Sequence, residues 1–466
     1  MSESSRNDRR RFMKYIAASA VAVGGAAASY YLYGSSFGRR TQVTTSTATG
    51  AETVTSARQN HAPVASFKRK PWYLNPTDLQ NIQFTNLSTD SDNDPLTYRW
   101  LVDNQLASEQ KDYSARLPVG QHLVELEASD RVAKSTVAQA VTVEPDQIYP
   151  TKPLHLRHKG FTYFAGPVPP AWPSLPRPTD DEMDEQLDTM RNELGCNAII
   201  ISGGEDYEDR LIECGRMAIQ KGFERKHMQP RYMDATPSET VEKVGRFATE
   251  VRSLREVSES VVYCVGHEFS NETAILPGDT WIERFTYLVE KPDWPKKVEA
   301  TLPKMFRDLI AVCKQNYGYA ISYAAIGFAE ADMVPWENTV FDSVGVDVAV
   351  QDKYGCTEDW VVNLLSGLKK YRKPVNCMEA GCPTFTGAGK TAGAAPTQFQ
   401  NTLQYDEDEQ ANWIRRECSA LDRARIDGYF YTIYNDDWDM GYGVYNPQTR
   451  KRKKGFYMYK SYQRST

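Results

Sequence analysis

The chain is poor in the residues that mark most metal, redox and nucleic-acid chemistry. Its 466 residues include only six histidines and eight cysteines. No His and Cys spacing resembles a zinc site, His227 and His267 are too isolated to propose one, and no two cysteines form a C-x-x-C pair. Buried free thiols are the preferred reading for the cysteines, while a disulfide such as Cys356 with Cys382 stays open. A G-x-S-x-G elbow is missing, which removes support for a barrel esterase or deacetylase. No Gly-rich fingerprint follows the first strand of the α/β region, which argues against an open dinucleotide-binding sheet. Surplus positive charge is lacking too: 55 Lys and Arg against 61 Asp and Glu leave a net charge of −6 and a pI near 5.7. No face or tail gathers enough cations to neutralise a run of phosphates, so no nucleic-acid partner is expected. The one basic run, residues 450–454, reads as a solvated turn. No cofactor and no metal are expected.

What is present is length and apolar surface. At 52.8 kDa, with 41% hydrophobic residues and 11% aromatics, the chain has material for two or three units with a substantial core. Arg9-Arg10-Arg11-Phe12-Met13-Lys14 precedes an apolar run to about Tyr33, which resembles a twin-arginine export signal. Residues 1–34 are therefore read as that signal or as a membrane anchor. Ala26-Ala27-Ala28 suits cleavage, and the continuing apolar run suits retention. The expected location is extracellular or at the cell surface. Residues 35–62 are rich in Thr, Ser and Ala without apolar periodicity and read as a linker.

From 63 to 146 the texture changes to short alternating runs. Residues 81–87, 96–102, 121–129 and 135–143 have strand spacing with turn residues between them, the pattern of a small all-β, Ig-like sandwich. The Asp-rich turn Asp90-Ser-Asp92-Asn-Asp94, the strand containing Tyr98-Arg-Trp100 and the later strand begun by Gly120 resemble a PKD domain. Trp100 is then a packing aromatic between sheets. Asp90, Asp92 and Asp94 alternate as in some Ca²⁺ loops, but the distal Glu is missing and an ordinary Asp turn is preferred. Asn86 and Asn271 lie in N-x-Ser/Thr sequons.

Residues 149–466 alternate strand-like and helical runs. Strands are expected at 160–164, 198–202, 227–232, 261–266, 320–325, 343–349, 375–379 and 428–434. Amphipathic helices are expected at 180–194, 238–254, 297–316, 357–371 and 407–426. Eight strands over this length predict a (β/α)8 TIM barrel, with 327–338 read as a long loop.

The chemistry is expected at the C-terminal strand ends, where charged residues cannot serve the core. Glu268 ends the fourth strand and Glu379 the seventh. That placement resembles the clan of retaining (β/α)8 glycoside hydrolases, in which the acid/base follows strand four and the nucleophile strand seven. The resemblance implies Glu268 as acid/base and Glu379 as nucleophile, with Trp438 after strand eight as a sugar platform. It also implies a sugar 2-hydroxyl contact at the position of His267, where the clan usually has Asn. Arg231 and Tyr354 are candidate donors to Glu379, and Tyr163 and Asp437 candidate sugar contacts, with Phe161, Trp172, Asp436 and Asp439 as further possibilities set against core or loop packing. Glu272, four residues past Glu268, is an alternative candidate for the acid, and Glu205, Asp206, Asp234, Glu330 and Asp332 are candidates to line the cleft; for all six a surface loop acid or helix cap is the preferred reading. The function so implied is hydrolysis of an O-glycosidic bond with retention on an oligo- or polysaccharide. The alternative is a non-catalytic glycan-binding or adhesion protein of the cell envelope.

Overall fold

The computed structural model describes residues 60–70, 82–143, 149–169, 177–352, 355–391, 404–436, 441–447 and 451–465. The signal, most of the linker, Trp172, Tyr354, Asp437, Trp438 and Asp439 lie outside them. The chain divides into two compact units, one ending at Gln147 and the other running from Ile148.

In the smaller unit, Phe67–Lys70, Ile82–Asn86 and Tyr113–Ala115 form one antiparallel sheet. Gln105–Ser108, Thr97–Val102, Gly120–Ser129 and Lys134–Val143 form the other. Ile82–Asn86 alternates buried and exposed residues, the period-2 signature of a half-buried strand. Phe67, Phe84, Trp100, Val124, Leu126 and Val141 make the core. Trp100 is fully buried, meets Phe67 edge-on at 5.0 Å and donates its indole N–H to the Gln110 carbonyl at 3.1 Å. Asp90 Oδ1 accepts the amides of Asp92 and Asp94 at 2.8 and 3.2 Å, and Asp92 pairs with His61 at 3.0 Å. The acids thus build a turn. Asn86 is buried, with its side-chain oxygen accepting from the Ser88 amide.

The larger unit is the expected barrel, closed and all parallel. Its strands, one to eight, are His158–Phe164, Ala198–Gly204, Arg225–Arg231, Val261–His267, Ile321–Ile326, Val344–Asp347, Val375–Ala380 and Gly428–Thr432. They pair in chain order, and the eighth closes on the first through Tyr431 opposite Phe161. Each is buried on both faces, which is why it reads as an apolar run and not as an alternation. Ala198, Ile200, Cys264, Ala324, Met378 and Phe430 pack together inside. His227 joins that interior: its Nδ1 meets Ser322 Oγ at 2.8 Å, and burial drives its pKa well below the usual value.

Thr179, Thr236 and Thr357 cap the outer helices Asp180–Asp188, Pro237–Val257 and Glu358–Leu368 through side-chain hydrogen bonds to backbone amides. Several elements differ from expectation, among them Gly327–Ala331, a short helix inside the stretch read as loop, Glu208–Gln220, a full helix after strand two, and the helices Trp281–Glu290 and Lys454–Ser461. All eight cysteines are buried free thiols. The basic run is not a solvated turn. Arg452 is buried and holds Glu193 through two hydrogen bonds of 2.8 and 2.7 Å, and buried Lys453 pairs with Asp436.

Candidate active site

Two backbone irregularities aim the acids. The register of strand four against strand five shifts between Cys264 and His267, and that of strand seven against strand eight shifts between Cys377 and Ala380. A bulge re-aims the side chains that follow it, and Glu268 and Glu379 stand at these two breaks. Glu268 has φ 38° and ψ 54°, a left-handed conformation uncommon for a residue with a Cβ. Gly266 makes room for this turn, because a Cβ there would lie 2.1 Å from the Phe269 ring.

A second layer secures the turn Phe269–Glu272 that carries Glu268. Tyr323 Oη accepts the Phe269 amide at 2.7 Å and donates to Glu330. Glu330 in turn accepts the Ser270 amide at 2.9 Å. Both side chains are fully buried. Glu330 is therefore a buried acceptor for the Ser270 amide and the Tyr323 hydroxyl, contrary to its reading as a solvated loop acid.

At the centre are four carboxyls and two cations, all buried. Arg231, ending strand three, donates to Glu379 Oε1 at 2.7 Å, with its other terminal nitrogen 3.6 Å from Glu272. His267 Nδ1 is 2.8 Å from Glu272 Oε1, while Nε2 lies 3.3 Å from both Asp347 Oδ2 and Glu379 Oε2. Both ring nitrogens thus face carboxyls of the protein. Glu272, read as a surface acid, is the buried partner of His267 and Arg231. Asp347, ending strand six, was not singled out at all, although an acid within the apolar run Val344-Gly-Val-Asp-Val-Ala-Val350 carries the same signal that picked out Glu379.

This arrangement drives the two glutamates apart. Burial first, then the negative charges of Glu272 and Glu379, push the Glu268 carboxyl up to about 8 against the opposing pull of His267 and Arg231. Burial acts on Glu379 in the same sense, but the charges of Arg231 and His267 outweigh it and hold that carboxyl below the ordinary value. One carboxyl keeps its proton near neutrality and the other does not. Burial also raises Asp347 well above the usual range. Glu268 Oε1, both Asp347 oxygens, Glu379 Oε2 and His267 Nε2 make no hydrogen bond with the protein. This converging set of buried polar atoms suits a ligand rich in hydroxyls.

Several other candidates fall elsewhere. Tyr163 is fully buried with its hydroxyl donating to Gln186 at 2.8 Å, which makes it a packing residue instead of a sugar contact. Phe161 lies in an aromatic cluster with Tyr431, Tyr434 and Tyr459. Glu205 pairs with Lys243 and Arg246, Asp234 with Arg284 and exposed Asp332 with Lys370. Asn271 is buried within the turn.

A family model described as Glycoside Hydrolase Family 113 matches residues 298–461. The match takes in strands five to eight with Asp347 and Glu379, and it supports a glycosidase. No curated protein matches the chain. Among solved structures, a Parabacteroides merdae β-glucuronidase is similar over 86% of this chain at 10% identity and TM-score 0.43, and this chain covers 54% of its length. A GH5-4 broad specificity endoglucanase from Clostridium acetobutylicum matches 66% of this chain and 96% of its own at 10% identity and TM-score 0.44. The PKD1 domain of Vibrio anguillarum Epp is similar to 19% of this chain over all of its own length, at 28% identity and TM-score 0.16.

Proposed function

We propose that the chain is an exported glycoside hydrolase that cleaves O-glycosidic bonds with retention of anomeric configuration. Glu379 is the nucleophile and Glu268 the acid/base. The observation that carries this reading is the opposite bias of two buried carboxyls at the ends of strands four and seven, Glu268 protonated and Glu379 ionised near neutrality. In the first step a Glu379 oxygen bonds to the anomeric carbon while Glu268 gives its proton to the departing glycosidic oxygen. The Glu379 ester has no charge, so one of the groups raising the Glu268 pKa disappears. Glu268, now a carboxylate, takes a proton from water as the water oxygen attacks the same carbon. The ester breaks, the sugar leaves and both residues return to their starting state.

Arg231 and His267 hold Glu379 ionised before attack and receive its charge again afterwards. The 2-hydroxyl role proposed for His267 is best replaced by this electrostatic one, because its Nε2 is directed at two carboxyls. The stereochemistry is tested by ¹H NMR of the first-formed anomer from an aryl glycoside, together with peptide mapping after a mechanism-based fluorosugar. Retention with the label on Glu379 is expected. An inverted first product, or a label on another residue, refutes the assignment.

Export rests on residues 9–14 and on the apolar run after them. Among the described residues no helix is long and apolar enough to cross a membrane. Loss of secretion on changing Arg9 and Arg10 to Lys is the expected outcome, and unchanged secretion refutes the twin-arginine route.

A further inference from the structure

We infer that Asp347 binds the substrate, accepting a hydrogen bond from a ring hydroxyl next to the anomeric carbon. This rests on the glycosidase reading and adds a recognition residue to it. Asp347 ends strand six, between strand five, which precedes the short helix with Glu330, and strand seven, which carries Glu379. Its side chain is 1% exposed, and neither carboxyl oxygen is hydrogen-bonded. A buried carboxyl left in that state is costly whether charged or neutral, and such groups in proteins are nearly always satisfied.

The two cations of the cluster are divided among its other carboxyls. His267 turns Nδ1 to Glu272 and shares Nε2 between Asp347 and Glu379 at 3.3 Å each, and Arg231 serves Glu379 and Glu272. That shared nitrogen also keeps Asp347 close to Glu379. A sugar whose anomeric carbon lies against Glu379 places a neighbouring ring substituent within reach of Asp347. One ligand atom each from Asp347, Glu268 and His267 lie within 4.8 Å of one another, so Asp347 faces the same space as the proton donor. A sugar hydroxyl supplies the donor that the protein does not.

The same three residues match the donor set of a divalent cation, and the experiment separates the two ligands. Wild type, Asp347→Asn and Asp347→Ala are assayed on a 2,4-dinitrophenyl glycoside and on its monodeoxy analogues, with thermal melts to verify folding of each variant. Asp347→Ala is expected to lose roughly 10- to 100-fold in kcat/KM on the parent glycoside. On one monodeoxy analogue, which lacks the hydroxyl in question, the loss shrinks to within about threefold. A loss of equal size on every analogue, in the isosteric Asp347→Asn as in Asp347→Ala, overturns the inference. So does loss of wild-type activity in EDTA that returns with Mn²⁺ or Zn²⁺, which assigns the residue to a cation. Failure of the wild type to cleave any glycoside strikes the glycosidase reading instead.

Discussion

Glu268→Gln should slow catalysis on substrates with poor leaving groups and stabilise the protein at the same time. The Glu268 carboxyl titrates near 8 in the folded chain against an ordinary value of 4.5. A raised carboxyl means that the folded state binds a proton which the unfolded state has lost. This contribution to stability is complete below the unfolded value, falls as the pH rises and levels off above about 8. Between 4.5 and 7 the fall is about 3 kcal/mol at 1.36 kcal/mol per pH unit. Gln has nearly the same shape and does not ionise, so the variant escapes that loss. Its melting temperature should match the wild type near pH 4.5 and exceed it by several degrees at pH 7 to 8. In catalysis, kcat/KM on a sugar or alkyl leaving group should fall by roughly 10²–10⁴, the usual worth of general acid catalysis, while a 2,4-dinitrophenyl glycoside should be spared in the first step. The basic limb of the wild-type profile should lie near pH 8 and vanish in the variant. Calorimetry from pH 4.5 to 8, paired with steady-state kinetics on the two substrates, tests both halves. Equal stability of the two proteins at pH 8, or an equal loss of rate on both substrates, refutes the assignment of a buried, protonated Glu268.

Three further outcomes follow from named contacts. Arg231→Met leaves Glu379 buried beside one cation fewer, so the acid limb of kcat/KM should move to higher pH and stability should drop by about 3–5 kcal/mol; an unmoved limb counts against Arg231 as the group keeping Glu379 ionised. Tyr323→Phe removes the acceptor for the Phe269 amide and the donor to Glu330, and should cost about 1–3 kcal/mol with a larger fall in kcat on poor leaving groups than on good ones. Equal falls would make the network merely structural. Trp100→Ala empties the centre of the small unit and should cost that unit about 3–5 kcal/mol, seen as an earlier transition on heating.

The barrel was legible because a strand buried on both faces must be apolar along its whole length, as Ala198–Gly204 and Val261–His267 are. Helices were less evenly readable. Glu208–Gln220 escaped because three of its five buried residues are Cys214, Gly215 and Ala218, small residues that dilute an apolar periodicity. Their size is a packing requirement: a Cβ on Gly215 would come within 2.7 Å of Leu254. The basic run at 451–454 misled for a related reason. Charge in a sequence says nothing of burial, and Arg452 and Lys453 are held inside by Glu193 and Asp436.

The same limit explains which acids of the site could be read and which could not. Glu268 and Glu379 were recognisable because each interrupts an apolar strand at its end. Glu272 and Glu330 sit in one-turn helices after strands four and five, where an acid is ordinarily solvated, and only the folded chain brings them against His267, Arg231, Tyr323 and Ser270. Once those partners are in place, the histidine at 267 has a physical account. An Asn there offers a neutral donor, whereas an imidazole between Glu272, Asp347 and Glu379 is driven well above its usual pKa, the pull of the carboxylates exceeding both burial and the repulsion of Arg231. A cation at this position offsets part of a four-carboxyl cluster, lowers Glu379 and limits how far Glu268 can rise. Replacing His267 by Asn therefore removes a charge as well as a contact. The acid limb of kcat/KM should shift upward with Glu379 and the basic limb upward with Glu268. A substitution acting only through a lost sugar hydrogen bond would lower kcat/KM and leave both limbs in place.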